Sequence, residues 1–429
     1  MARNLLGEVA GAAAVERNLK LLALGVSVRT FGAALYYPFL ALFLYSVLHV
    51  GYLEIGVILV GVGAVQLPFG YAGGLLADRV GRRRLILIGL FAEAAATVAL
   101  AYAFSIRSLP LAILAGTAGG IVTSSAGAAY SAYIADHAAG SDRTRAFTWY
   151  RIGFNAGFSA GVGLGGALVA FLGFPLSVAI AAALIASAAV VLSVLLGPSP
   201  YDLGLQEKRR VRAAEGGAAA PRGRSLRESL AVLRKDRVAL EVALGFLFAS
   251  LVYGQWAVTF PLFVHNLMGI GYALLGVGLA LNGLIVVFGQ APTTEALIGW
   301  RHTTLGAMAV GLLAASYLLL GVAGPLLLAP LVAFLAAVVI LTVGENIGTI
   351  ATTTLPSNLA PPEEMGSYNG AFGTFLGAGG LAATFLGGLV LSLTSNPLLI
   401  WVLLASPAVP AVLLLRHAAP RIRPEANRV

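Results

Sequence analysis

Gly74-Leu75-Leu76-Ala77-Asp78-Arg79-Val80-Gly81-Arg82-Arg83-Arg84 is a short charged run between two long apolar segments, residues 53–76 and 85–105. Crossing about 30 Å of hydrocarbon takes about 20 helical residues, so each segment reads as a membrane span and the run as the turn between them. The same criterion applied outward gives residues 21–47, 53–76, 85–105, 109–134, 146–171 and 175–196 in the first half. In the second half it gives residues 238–264, 272–297, 303–322, 326–354, 367–393 and 397–415. The expectation is an all-α membrane protein of twelve transmembrane helices in two six-helix bundles.

Composition agrees. Of 429 residues, 59% are hydrophobic and 10% charged, and the mean hydropathy of +0.90 lies far outside the range of soluble domains. Cysteine is absent, which excludes disulfides, thiolate metal sites and cysteine nucleophiles. The first twenty residues carry Arg3, Glu8, Glu16, Arg17 and Lys20 without an apolar core, so no signal peptide is expected. A net charge of +9 raises nucleic acid as a partner, but the positions of the charges answer it. With both termini inside, 25 of the 27 Lys and Arg residues fall on the cytoplasmic side. Only Arg107 lies outside and only Arg29 lies mid-membrane. The charge therefore orients a multi-pass cell-membrane protein with cytoplasmic termini, and no nucleic acid is required.

Residues 197–237 interrupt the apolar pattern and form a cytoplasmic linker between a bundle of residues 1–196 and one of residues 238–429. Within the linker, Leu226, Leu230 and Leu233 recur at helical spacing opposite charges, which fits a short surface helix. The halves repeat one another. Gly51-Tyr52-x-x-x-Gly56-Val57-x-Leu59-x-x-x-Gly63 returns as Gly271-Tyr272-x-x-x-Gly276-Val277-x-Leu279-x-x-x-Gly283, 220 positions on. Pro38 and Pro261 are 223 apart, and the pairs Gly165-Gly166 and Gly387-Gly388 are 222 apart. Parallel six-span repeats of this kind enclose a substrate site near the midplane in one class of transporters.

The charged run, with its layout Gly-x-Leu-Ala-Asp-Arg-x-Gly-Arg-Arg-Arg, resembles the signature loop of the major facilitator superfamily of secondary transporters. Arg29-x-x-Gly32 followed by Pro38-Phe39-Leu40 looks like the first helix of its proton-coupled drug-efflux branch. Gly157-x-x-x-Gly161-Val162-x-x-Gly165-Gly166 is similar to that branch's antiporter motif, with Val162 in place of a proline. Ala360-Pro361-Pro362-Glu363-Glu364-Met365-Gly366 resembles a second family loop, with Met365 in place of an arginine. The resemblance implies alternating access, and a cytoplasmic gate formed by Gly74, Asp78, Arg79, Gly81 and Arg82, in which the acid bridges spans two and eleven. The equivalent loop of the second half, Trp300-Arg301-His302, has no acid and is expected to lack the latch.

Charges deep in spans cost on the order of 2.5–3.5 kcal/mol each on insertion scales, so they are functional candidates by default. Arg29 lies about 12 Å into span one by helical rise, and Glu93 lies at similar depth in span three. They could pair as a structural element, or couple transport. Glu345, in span ten, is the third coupling candidate; its alternative is to cap neighbouring helices or to pair with a basic residue at the inner gate. A carboxylic acid carries a proton only if both its forms are accessible near neutrality, a condition a dry helical wall can meet. Glu54, Glu241, Glu295 and His265 sit at span ends, where interfacial solvation accounts for them.

Tyr36, Tyr37, Asn155, Tyr253, Gln255, Trp256, Asn282 and Asn346 are candidate linings of a substrate cavity. Few charges and many aromatic rings suit a small amphipathic substrate better than a polyanion. Hydrogen bonding between helices is the alternative for each. Gly157, Gly161, Gly165 and Gly166 form a close-packing stripe; although Gly161 to Gly166 satisfy a dinucleotide Gly-x-Gly-x-x-Gly pattern, no strand precedes them. No phosphate loop and no His-Glu-x-x-His occur in the sequence, so ATP-driven pumping and metal hydrolysis have no support and no cofactor or metal is expected. The reading is a monomeric, proton-coupled exporter of small amphipathic compounds in the lipid bilayer. Its alternatives are nutrient uptake by symport or facilitated diffusion, and a non-transporting receptor or scaffold.

Overall fold

The computed structural model describes residues 2–137, 140–205, 233–323, 330–361 and 364–429, and every regular element longer than an isolated bridge among them is helical. Eleven of these helices are long and apolar enough to cross a membrane. One of them, Ala146–Leu195, has 50 residues, which at about 1.5 Å per residue is more than twice the hydrocarbon thickness. It breaks at Gly173, where φ is 75° and ψ is 170°, two residues before Pro175. Glycine alone adopts such angles without strain. The break turns one helix into the fifth and sixth spans, so twelve crossings appear among the described residues in the expected order.

The first span, Ala2–Ala34 continued by Leu40–Ser46, is interrupted by a 3-10 turn at Tyr37–Phe39 that contains Pro38. The seventh, Arg237–Tyr253 continued by Thr259–Asn266, is interrupted at Gly254–Trp256. There Pro261 supplies no amide for the Ala257 carbonyl four residues back, so the helix cannot pass unbroken. The tenth, Pro330–Leu359, runs five residues past the expected end and includes Pro356. Thr352 and Thr353 donate to the carbonyls of Gly348 and Thr349, so these polar side chains are satisfied by the helix itself.

The repeat is visible in backbone bonding. In the loop after the first span, the amides of Val47 and Leu48 donate to Phe43 O and that of Val50 to Leu44 O. After the seventh span, Leu267 and Met268 donate to Phe263 O and Ile270 to Val264 O, each 220 positions on. His49 and Gly269, also 220 apart, both have positive φ, 54° and 72°. The second and eighth spans then begin at Tyr52 and Tyr272.

Packing divides the chain into two compact units. The first contains Met1–Tyr37 and Gly61–Arg222. Its core joins Leu22, Val26, Leu85, Ile86, Leu90, Tyr130, Tyr133 and Leu192. Along one seam the first and fifth spans touch backbone to backbone. A Cβ at Gly153, Gly157, Gly161 or Gly165 would lie 2.2–2.5 Å from the carbonyl oxygens of Ala23, Ser27, Phe31 and Leu35 in turn. Both series step by four, so the glycine stripe follows the carbonyl ridge of the facing helix. Close approach by small residues is the main packing device available where the solvent is as apolar as the core.

The second unit contains Pro38–Val60 and Gly223–Val429. Residues 38–60 thus pack with the second half, although the sequence puts the expected linker at 197–237. The contacts responsible are specific: Ser46 Oγ lies 3.1 Å from Tyr272 Oη, and Asn266 Nδ2 donates to Tyr52 Oη at 3.2 Å. Gly388 also meets the backbone of Tyr52 and Gly56. The unit's core gathers Val242, Phe246, Leu305, Ile347, Ile350, Phe372 and Leu415. The helix expected around Leu226 and Leu230 lies outside the described residues. Large apolar side chains such as Phe171, Phe288, Val194 and Leu393 are exposed, as a lipid-facing surface permits.

Candidate functional site

In the first unit, helical registers on the first, third and fourth spans bring Arg29, Glu93 and Thr123 together. Arg29 Nε and Nη2 donate to Glu93 Oε2 and Oε1 at 2.7 and 2.8 Å, and Nη2 lies 3.4 Å from Thr123 Oγ1. The side chains are 14% and 10% exposed. Such a forked, desolvated pair is mutually neutralised, which the low-dielectric wall requires. Tyr36 stands half-buried on the first span and Tyr37 is exposed beside the helix break. Asn155 is half-buried on the fifth span.

The second unit presents a different arrangement. Glu345, on the tenth span, accepts from Tyr253 Oη at 2.9 Å through Oε1 and from Asn282 Nδ2 at 2.9 Å through Oε2. Asn282 is buried and its Nδ2 also reaches Thr342 Oγ1 at 2.9 Å. Tyr253 and Asn282 are both neutral donors. Tyr253 is 38% exposed, so the carboxylate sits one hydroxyl behind an open aromatic surface. Trp256, half-buried in the adjoining 3-10 turn, stacks obliquely on Phe260.

Like Asn282, Gln255 and Asn346 are buried and bond between helices. Gln255 is 1% exposed, donates to Leu251 O and Ala383 O at 3.1 Å, and accepts from Thr259 at 2.6 Å. Those bonds tie the seventh span to the eleventh and exhaust its amide in the core. Asn346, at 2% exposure, donates through Nδ2 to Ile285 O at 3.4 Å, and its main-chain oxygen accepts from Gln290 Nε2 at 3.1 Å.

The charged loop closes the second span and opens the third. Gly74 packs at the fourth span near Ala128, and Gly81 adopts φ 107° to turn the chain. Asp78 is ion-paired with Arg82 one turn later, Asp78 being half-exposed and Arg82 buried. Arg82 Nε lies 3.4 Å from Asp136 at the end of the fourth span, and its guanidinium sits 4.0 Å above the Tyr201 ring. Arg79 flanks the pair on the same turn. Asp136, Tyr201 and Asp202 were not singled out in the sequence. The first ends an apolar span and the others open the linker, where proline and charge suggested only a solvated connection. Glu54, as a span-end residue, accepts the Gly51 amide at 2.8 Å and caps its own helix.

The model for the Major Facilitator Superfamily matches residues 22–384. The chain belongs to the major facilitator superfamily. It is a multi-pass membrane transporter and not an enzyme. It is 24% identical over 361 residues to the uncharacterized MFS-type transporter YttB of Bacillus subtilis (strain 168), covering 82% of this chain and 83% of that protein. A second B. subtilis (strain 168) relative, the uncharacterized MFS-type transporter YqjV, is 25% identical over 260 residues, 59% of this chain and 58% of that one. Among solved structures, the nucleoside transporter NupG superposes with a TM-score of 0.77 at 13% identity, covering 94% of this chain and 99% of that one. A POT family transporter in complex with a thioalcohol-conjugated peptide gives 0.72 at 16% identity, covering 94% and 96%. These two structural likenesses concern the fold alone.

Proposed function

We propose that this major facilitator transporter exports small amphipathic compounds in exchange for protons. Its two six-helix halves work by alternating access in the cell membrane, as a monomer with both termini and the basic loops in the cytoplasm. The observation that carries proton coupling is Glu345, a carboxylate inside a span that accepts from Tyr253 and Asn282, the Tyr253 ring being open on its other side. Neutral donors can hold the anion yet leave the acid form available, as Tyr253 and Asn282 can re-pair with a protonated carboxyl. Coupling requires that proton and substrate bias the same two-state element, and a carboxylate next to an exposed aromatic surface meets that condition. The Arg29–Glu93 pair supports a scaffold role, because each charge already has its opposite. Asp78, half-exposed and joined to Arg82, supports a gate at the basic end.

The deciding experiment uses cells expressing the chain and ethidium as the probe. Export by proton exchange raises ethidium accumulation when the proton gradient is collapsed. A fall in accumulation on collapse favours symport uptake instead, and no flux of a broad compound library in proteoliposomes favours a non-transporting receptor.

A further inference from the structure

At the basic end, the third helix of each bundle is held by the segment that follows that bundle's own last helix. In the first bundle, Asp202 Oδ1 accepts the Arg82 amide at 2.6 Å, and Oδ2 accepts the amides of Arg83 at 3.1 Å and Ser199 at 2.9 Å. The first amides of a helix have no partner within it, and a capping oxygen supplies one. In the second bundle, 220 positions on, the main-chain oxygen of Asn427 accepts the His302 amide at 2.7 Å. Its Oδ1 accepts the Thr303 amide at 3.0 Å, and Nδ2 donates to Thr303 Oγ1 at 3.0 Å.

The ends of the fourth and tenth spans complete the parallel. Ser199 Oγ donates to Asp136 at 3.1 Å, and Asn358 Nδ2, 222 positions beyond Asp136, donates to Ala426 O at 3.2 Å. The segment after the second bundle's last helix is pinned further by an exchange of bonds between Val429 and the backbone of Gly299 and Trp300. The two clasps share geometry but differ in charge. The first gathers Asp78, Asp136 and Asp202 about Arg82, with Tyr201 under the guanidinium and its hydroxyl donating to Asp78 O at 3.0 Å. The second is built from Asn427, Asn358 and Thr303. A Cβ at Gly81 would lie 2.8 Å from Asp202 Oδ1, so this glycine of the family-like loop serves the approach of that carboxylate as well as the turn.

We propose that Asp202 is a positioning residue for the Asp78–Arg82 latch, and that Asn427 is its neutral counterpart on a loop that carries no latch. Asp202 fixes the backbone from which Arg82 projects, and Tyr201, on the same turn, fixes the plane of the guanidinium that meets Asp78. The clasp is thereby common to both halves, while the gating chemistry is confined to one. This rests on the gate reading of Asp78.

The test compares the full chain with its Asp202→Ala, Asp202→Asn, Asn427→Ala and Asp78→Asn variants in lipid nanodiscs. Residue-resolved hydrogen–deuterium exchange reads the caps. Asp202→Ala should speed exchange at both Arg82 and Arg83 by about tenfold or more, whereas Asn427→Ala should do so at Thr303 and spare His302, whose partner is a backbone oxygen. The absence of cysteine permits spin labels at Arg84→Cys and Glu295→Cys, whose distance distribution reads the conformational balance. Asp202→Ala should shift that balance in the same direction as Asp78→Asn, Asp202→Asn should shift it less, and Asn427→Ala should leave it unchanged. A loosened loop with an unshifted balance in Asp202→Ala, while Asp78→Asn does shift it, overturns the positioning role and leaves the gate standing. If neither variant shifts the balance, the gate reading fails and the positioning role with it. Unaltered exchange at Arg82 and Arg83 in Asp202→Ala overturns the cap itself.

Discussion

Arg29 and Glu93 meet through two parallel N–H···O bonds of 2.7 and 2.8 Å, although 64 positions separate them in sequence. They weld the first span to the third at mid-depth. Removing one partner of a buried pair leaves an uncompensated charge and costs about 3–5 kcal/mol, while replacing both by apolar residues is often neutral. Glu93→Ala should therefore lower the thermal unfolding midpoint in detergent markedly, and the double replacement Arg29→Met with Glu93→Leu should recover most of it. A double variant that stays folded yet loses all transport would assign the pair to coupling instead.

Glu345 should behave in the opposite way. Glu345→Gln keeps an oxygen for Asn282 and a group for Tyr253, so the fold should survive with little change in unfolding midpoint. Proton-driven transport should fall by at least about tenfold, the loss of a driving interaction of about 1.4 kcal/mol or more. Exchange of labelled for unlabelled substrate, which needs no net proton movement, should persist. Equal loss of both modes would place Glu345 in the substrate site alone.

Asp78→Asn retains the size of the side chain and removes the charge that Arg82 meets. Transport should drop while expression and helix content stay unchanged, and a reporter cysteine on the basic face should change its labelling rate. Arg82→Lys should be nearly as damaging. Lysine cannot reproduce a planar guanidinium that reaches Asp78 and Asp136 while lying on the Tyr201 ring. Normal transport in both variants would remove the gate from this loop.

The crossings were legible because a bilayer imposes length and apolarity locally, and each span meets those demands by itself. The repeat was legible for the same reason, since glycine and proline mark positions in the backbone. Glu93 could be matched to Arg29 because a buried charge needs an opposite and few were available. Gln255 was not legible. An amide facing a cavity and an amide tying the seventh span to Ala383 O have the same sequence pattern, and only packing separates them. Asp202 and Asn427 escaped notice because a capping side chain can come from any loop that folds back. Neither lies near the helix it caps: Asp202 is 120 positions from Arg82 and Asn427 is 124 from Thr303.

The glycine seam gives a prediction that depends on geometry alone. Gly161 faces Phe31 O and Ala34 Cβ so closely that a Cβ would lie 2.4 and 2.8 Å from them, whereas Leu164, three residues on, is 47% exposed. Backbone cannot yield as a side chain can, so Gly161→Leu must push the first and fifth spans apart along their whole contact. Overpacking of this kind typically costs about 1–3 kcal/mol where side chains can adjust, and here the obstacle is a carbonyl. Gly161→Leu should elute as aggregate in size-exclusion chromatography, and Gly161→Ala should remain monodisperse with a lowered unfolding midpoint. Leu164→Ala, on the lipid-facing side of the same helix, should match the parent chain within about 0.5 kcal/mol, as surface changes usually do. A monodisperse Gly161→Leu variant with the parent midpoint would show that the first and fifth spans are not in backbone contact.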